Sequence, residues 1–113
     1  MPHVTIEYTE RLDGSHDMQA LCEAVFQTLS THDAIPHPES LKIRALPCAF
    51  SRIGTEPATF AHAILALLPG RDAPTKSDLA QAILGVMQDQ LSDVGSLSVD
   101  VIDLSSAYAK RML

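Results

Sequence analysis

A chain of 113 residues is the size of one domain, and residues 1–113 read as a single unit. Hydrophobic residues make up 46% of it but aromatic ones only 4%, with no Trp, so the core has to be built from Ala, Leu, Val and Ile in thin strands and small helices. Eight Lys+Arg against fourteen Asp+Glu, a net charge of -6, leave no broad basic surface for nucleic acid, and no apolar run approaches the roughly 20 residues that span a bilayer.

From His3 to Tyr8 the residues alternate, with Val4, Ile6 and Tyr8 on one face and His3, Thr5 and Glu7 on the other, which predicts a first strand. Gly14-Ser15-His16-Asp17 supplies a turn and a helix N-cap. Met18, Leu21, Cys22, Val25, Phe26 and Leu29 then recur at helical spacing, predicting an amphipathic helix that ends near Thr31. Pro36 and Pro38 break the chain before a second strand at about Leu41–Leu46, where Leu41, Ile43 and Ala45 face one way and Lys42, Arg44 and Leu46 the other.

The second half repeats the plan. Phe60–Leu68 is apolar on both faces, as a central strand covered on both sides would be. Pro69-Gly70-Arg71-Asp72 interrupts it, and Pro74-Thr75 opens a second helix with Thr75 and Asp78 at capping-box spacing. Leu79, Ile83, Val86, Met87, Leu91 and Val94 form its stripe, and a last strand follows at about Ser98–Ile102. Tandem β-α-β units imply an α/β (α+β) domain, a four-stranded sheet with both helices on one face. Two helices cover one face only, so the other face calls for other subunits. The tail Ser105–Leu113, with Tyr108, Lys110 and Arg111, reads either as a frayed end or as an arm reaching a neighbour.

Pro2 is the first candidate for chemistry. Trimming of Met1 before a small residue leaves a secondary amine at the terminus. An α-amino group titrates near 8, and burial beside cations lowers that further, so such an amine is partly free base at neutral pH. It could take a proton from a carbon next to a carbonyl and redeliver it along a conjugated system. From Met-Pro alone, an ordinary strand-start proline is the commoner reading. His62, mid-strand between Phe60 and Ile64, reads as a buried, hydrogen-bonded histidine, and His3, opposite Pro2, as structural. The histidines lack ligand spacing with a nearby carboxylate, so no metal is expected; Gly70 stands alone, so no phosphate loop is expected. Cys22 lies on the helix stripe and Cys48 in a loop, neither with a nucleophile's signature. With no C-x-x-C spacing and no basic leader-like start, the thiols read as reduced and the protein as cytoplasmic.

Met1-Pro2-His3-Val4-Thr5-Ile6-Glu7-Tyr8, the β-α-β duplication, and Phe60-Ala61-His62 leading to Leu68-Pro69-Gly70-Arg71 resemble 5-carboxymethyl-2-hydroxymuconate isomerase, of the tautomerase superfamily. The resemblance covers nearly the whole chain. It implies a cofactor-independent homotrimer with each site near a subunit boundary, the terminal proline as base and arginines on the carboxylates of a small unsaturated substrate. Pro2 carries over once Met1 is removed, and Arg71 matches the family's Gly-Arg position, where a guanidinium can grip a carboxylate and stabilise an enolate. The family's Arg-x-Arg in the second strand is here Lys42-Ile43-Arg44. Arg44 is taken as the substrate-binding member with Lys42 in support, because lysine cannot reproduce the planar fork. The family's aromatic-rich stretch is replaced by Ala45-Leu46-Pro47-Cys48-Ala49-Phe50, which leaves Phe50 as the aromatic pocket wall.

The rival from another class is a non-catalytic trimer that kept the fold and lost the site. Retained Met1 would make the Pro2 nitrogen an amide with no basic lone pair. Within enzymes, a dehalogenase, hydratase or decarboxylase on the same fold would use a protonated Pro2 as an acid, but no carboxylate is placed beside Pro2 to activate water. Glu7 projects from the opposite face.

Overall fold

The computed structural model describes residues 2–113; Met1, whose removal the sequence reading invokes, lies outside them. Four strands and two α-helices follow in the order β1 (His3–Thr9), α1 (Met18–Ser30), β2 (Lys42–Cys48), β3 (Phe60–Leu67), α2 (Ala73–Gln90) and β4 (Ser96–Asp103), with short 3-10 helices at Glu10–Gly14 and Pro38–Ser40. The sheet order is β2-β1-β3-β4. Within each β-α-β unit the strands are parallel, β1 with β2 and β3 with β4, and the central pair β1 and β3 is antiparallel. The tandem duplication expected from sequence is therefore the architecture, and β3 is central as its two apolar faces implied.

Strand alternation sorts the residues. Val4, Ile6 and Tyr8 of β1 and Ala61, Ala63, Leu65 and Leu67 of β3 are buried beneath the helices, together with Leu21, Val25 and Leu29 of α1 and Leu79, Ile83 and Met87 of α2. The inward-facing alanines of β3, Ala61 and Ala63, are buried without bulky side chains, in keeping with a core that has few aromatics. Phe26, assigned by periodicity to the α1 stripe, is 37% exposed and lies at its margin. The open face carries rows set by register: Lys42, His3, Ala66 and Ile102, then Arg44, Thr5, Ile64 and Asp100, then Leu46, Glu7, His62 and Ser98.

The helix starts and strand ends follow local chemistry. Asp17 caps α1 as expected, its carboxylate accepting from Ala20 N at 2.9 Å. The cap of α2 is Asp72, which accepts from Thr75 N at 2.9 Å, and not Thr75. Asp78 instead meets His32 Nε2 at 2.6 Å. Pro74 sits inside the first turn, where its missing N–H costs nothing. The stripe of α2 stops at Leu91, which closes the helix through Leu91 N to Met87 O at 2.8 Å, so Val94 packs from the following loop. β2 runs through Pro47 to Cys48, beyond the expected Leu46, because an edge strand tolerates a missing donor; Cys48 thus ends a strand and is not in a loop.

The tail turns back on its own chain. Leu104 N donates to Leu67 O at 2.6 Å, extending the β4 pairing, and Tyr108 then reaches His3. Among the described residues no helix is long and apolar enough to cross a membrane, and no group of three or more His, Cys, Asp or Glu is placed to hold a metal ion.

Candidate active site

Pro2 enters the sheet just before β1 and is buried, with its carbonyl accepting from Lys42 N at 3.1 Å. It lines a cavity of about 300 Å³ at the end of the sheet where β1 begins and β3 ends. The other walls come from Ile35, Pro36, His37, Glu39 and Ser40 ahead of β2, from Leu67, Leu68 and Arg71, and from Lys110 and Met112 of the tail. The antiparallel pairing of β1 with β3 is what puts the start of one beside the end of the other.

Arg71 is positioned by two features. Gly70 has a φ of 128°, a conformation that L side chains rarely adopt, so the chain turns sharply between β3 and α2 and delivers Arg71 at the cavity. The guanidinium is then tethered: Nε and Nη2 donate to Ala34 O at 3.1 and 2.8 Å, and Nη1 donates to Leu68 O at 3.4 Å. Those three hydrogen bonds use three of the five N–H donors, so two remain for a ligand. A tethered fork loses little freedom when it binds a carboxylate.

The charge in the cavity is mixed but weighted to cations. Arg71 and Lys110 line it along with Glu39, and Glu39 Oε1 lies 3.6 Å from His37 Nδ1, a neighbour in the same wall. The lining otherwise combines prolines and aliphatic side chains, which suits an apolar backbone carrying charged ends.

The other sequence candidates stand elsewhere in the single chain. Arg44 and Lys42 lie on the open sheet face. Arg44 Nη2 donates to His3 Nδ1 at 3.2 Å, and Lys42 Nζ donates to the carbonyl of Ser40, a cavity residue, at 3.1 Å. Phe50 is 96% exposed in the loop after β2 and lines no part of the Pro2 cavity. His62 hydrogen-bonds as expected, its Nδ1 lying 2.6 Å from Ser98 Oγ, but it is half-buried on the open face. His3 meets Tyr108 Oη at 2.9 Å through Nε2. Its pKa is held below the usual histidine value, first by burial and then by the positive charges of Arg44 and Lys42. Sequence reasoning gave no role to Lys110 or Met112, because a tail without periodicity carries no sign of where it folds.

The fold has close parallels among solved structures. One 5-carboxymethyl-2-hydroxymuconate delta-isomerase superposes with a TM-score of 0.84 at 20% identity, covering 99% of this chain and 88% of that one. A 5-carboxymethyl-2-hydroxymuconate isomerase from Deinococcus radiodurans R1 gives 0.82 at 24% identity, covering 98% and 88%. A fused 4-OT described as a symmetric trimer gives 0.61 at 17%, covering 97% and 93%. Among curated proteins none matches the chain significantly. At these identities the structures establish a tautomerase-like fold, and the sequence itself matches the family 5-carboxymethyl-2-hydroxymuconate isomerase over residues 2–109. By that match over nearly its whole length, the chain belongs to the 5-carboxymethyl-2-hydroxymuconate isomerase family, a family of isomerases within the tautomerase superfamily.

Proposed function

We propose that the protein shifts a proton within an unsaturated 2-hydroxy or 2-oxo carboxylic acid, with Pro2 as general base after loss of Met1. The observation that carries the reading is that Pro2 and Arg71 line one cavity. A carboxylate on the two free N–H groups of Arg71 would hold the conjugated chain against Pro2. The amine takes a proton from the 2-hydroxyl or an allylic carbon, the electrons move along the diene, and the resulting ammonium returns the proton to a carbon further on. Charge on the dienolate is stabilised by the adjacent cations, so the step calls for no cofactor.

The working assembly in this reading is a homotrimer in the cytoplasm. The open sheet face supports it: Ile64 and Ala66 are only partly buried there, and Leu46 and Ile102 remain 47% and 42% exposed. Arg44, Lys42 and Phe50, which stand away from the Pro2 cavity, would then act on substrate at the boundary between subunits, as the family resemblance implies. The symmetric trimer among the structural parallels is in keeping with this arrangement. The non-catalytic reading is not favoured by the family match.

Intact mass of protein from its native host, followed by ultraviolet assay of a 2-hydroxymuconate, tests the mechanism. The expected mass lacks methionine, and Pro2→Ala is expected to lower kcat by about a hundredfold or more, the range for loss of a general base. Retention of Met1 in every molecule, or full activity in Pro2→Ala, would remove Pro2 from the mechanism.

A further inference from the structure

The C-terminal segment has three observations in common. Its path starts where Leu104 N bonds Leu67 O, the end of β3 that borders the cavity. Tyr108 is fixed to His3, the residue next to Pro2, by a 2.9 Å hydrogen bond and by an edge-on ring contact with centroids 5.8 Å apart. Two residues further on, Lys110 lines the Pro2 cavity, and Met112 does so after it. A turn from Ser105 to Tyr108, closed by Tyr108 N to Ser105 O at 3.1 Å, sets the direction between these points.

From this arrangement we infer that the segment from Leu104 to Met112 is a wall of the active site and that Lys110 is a specificity-determining residue, binding a second carboxylate of the substrate. The inference rests on the Pro2 and Arg71 reading for the first carboxylate and adds the far end of the ligand. Arg71 is tethered to backbone carbonyls on one wall, whereas Lys110 comes from the tail. A ligand with a carboxylate at each end would meet Arg71 with one and Lys110 with the other, its apolar conjugated stretch facing Leu67, Leu68 and Met112. Lysine fits this task because a point charge on a flexible stem adapts to ligands of differing length. Glu39 in the same cavity opposes any ligand whose negative charge lies near it, which adds discrimination by position. Tyr108 acts here as a positioning residue, since its hydroxyl holds the segment to His3.

Calorimetric titration with cis,cis-muconate, which has a carboxylate at each end, and with sorbate, which has one, tests the inference independently of turnover. Lys110→Ala is expected to weaken muconate binding about tenfold while changing sorbate less than about twofold, and Lys110→Arg is expected to restore most of the loss. Tyr108→Phe is expected to weaken muconate severalfold with sorbate unaffected. Equal effects on the two ligands, no effect of Lys110→Ala, or no binding of muconate by the wild-type protein would overturn the role of Lys110. Equal or absent effects of Tyr108→Phe would overturn the positioning role of Tyr108. Wild-type protein that binds muconate through Lys110 but isomerises no 2-hydroxydienoate would leave the inference standing and defeat the proposed function instead.

Discussion

Arginine carries only hydrogen-bond donors, so the contact from Arg44 Nη2 obliges His3 Nδ1 to accept, and the neutral ring keeps its proton on Nε2 for Tyr108 Oη. The fold thus favours the neutral imidazole, in line with a pKa held below the ordinary 6.5 by burial, Arg44 and Lys42. Nitrogen chemical shifts should show the Nε2-protonated tautomer predominating at neutral pH, with a titration midpoint below that value; a midpoint above it would contradict the arrangement. His16 behaves in the opposite sense. Its Nε2 lies 2.7 Å from Asp93 Oδ1, which raises the histidine's pKa and lowers that of the carboxylate. The histidine's contribution is complete below its ordinary 6.5 and is lost as pH rises through its higher folded value, while that of Asp93 is complete above 3.8 and lost on acidification. His16→Ala should therefore lower the unfolding midpoint most between those two limits, and the gap from wild type should close as the solution is made alkaline.

Among the elements, α2 and the entry to β4 offer two direct tests of packing. Ile83 is fully buried on the inner face of α2, and Ile83→Ala is expected to cost about 3 kcal/mol in denaturant unfolding through lost burial and the cavity left behind. Gly95 is required for a different reason. A Cβ there would run into the backbone carbonyl of Pro57, which cannot swing aside as a side-chain tip could, so Gly95→Ala should destabilise by about 1–3 kcal/mol. A thermal melt unchanged by that substitution would mean that the loop carrying Pro57 gives way. Both α-helices and all four strands were legible from period and punctuation, since alternation in β1 and the Asp17 cap of α1 are signals confined to a few residues, whereas the 3-10 turns at Glu10–Gly14 and Pro38–Ser40 have no such period. The opening of α2 at Pro74-Thr75 holds, but its cap was misassigned to Thr75 because the residue that caps it stands earlier, at Asp72. The extension of β2 through Pro47 depended on its being an edge, which is a property of the sheet order and not of the segment.

For the molecule as a whole, the open sheet face and the Pro2 cavity are the two unfinished surfaces. A homotrimer predicts a sedimentation mass three times the 12.2 kDa chain and an unfolding midpoint that rises with protein concentration. A monomer at micromolar concentration would remove the proposed role of Arg44 and Phe50 across a boundary. Pro2 and Arg71 could be picked out from sequence through the family's opening and Gly-Arg motifs, and the fold brings them to one cavity. Lys110 could not, because nothing in Ser105–Leu113 encodes a destination; the folded path, held by Leu104 on Leu67 and Tyr108 on His3, reveals it.

The bond from the Lys42 amide to the carbonyl of Pro2 ties down the residue proposed as the base. Chain ends usually fray, and a base on a fraying end spends much of its time out of reach of its substrate. Here the sheet's hydrogen bonding extends to the residue that would carry the base, so mobility at Pro2 requires this bond to open. The exchange rate of the Lys42 amide proton with deuterium would therefore report how often the proposed base leaves its position.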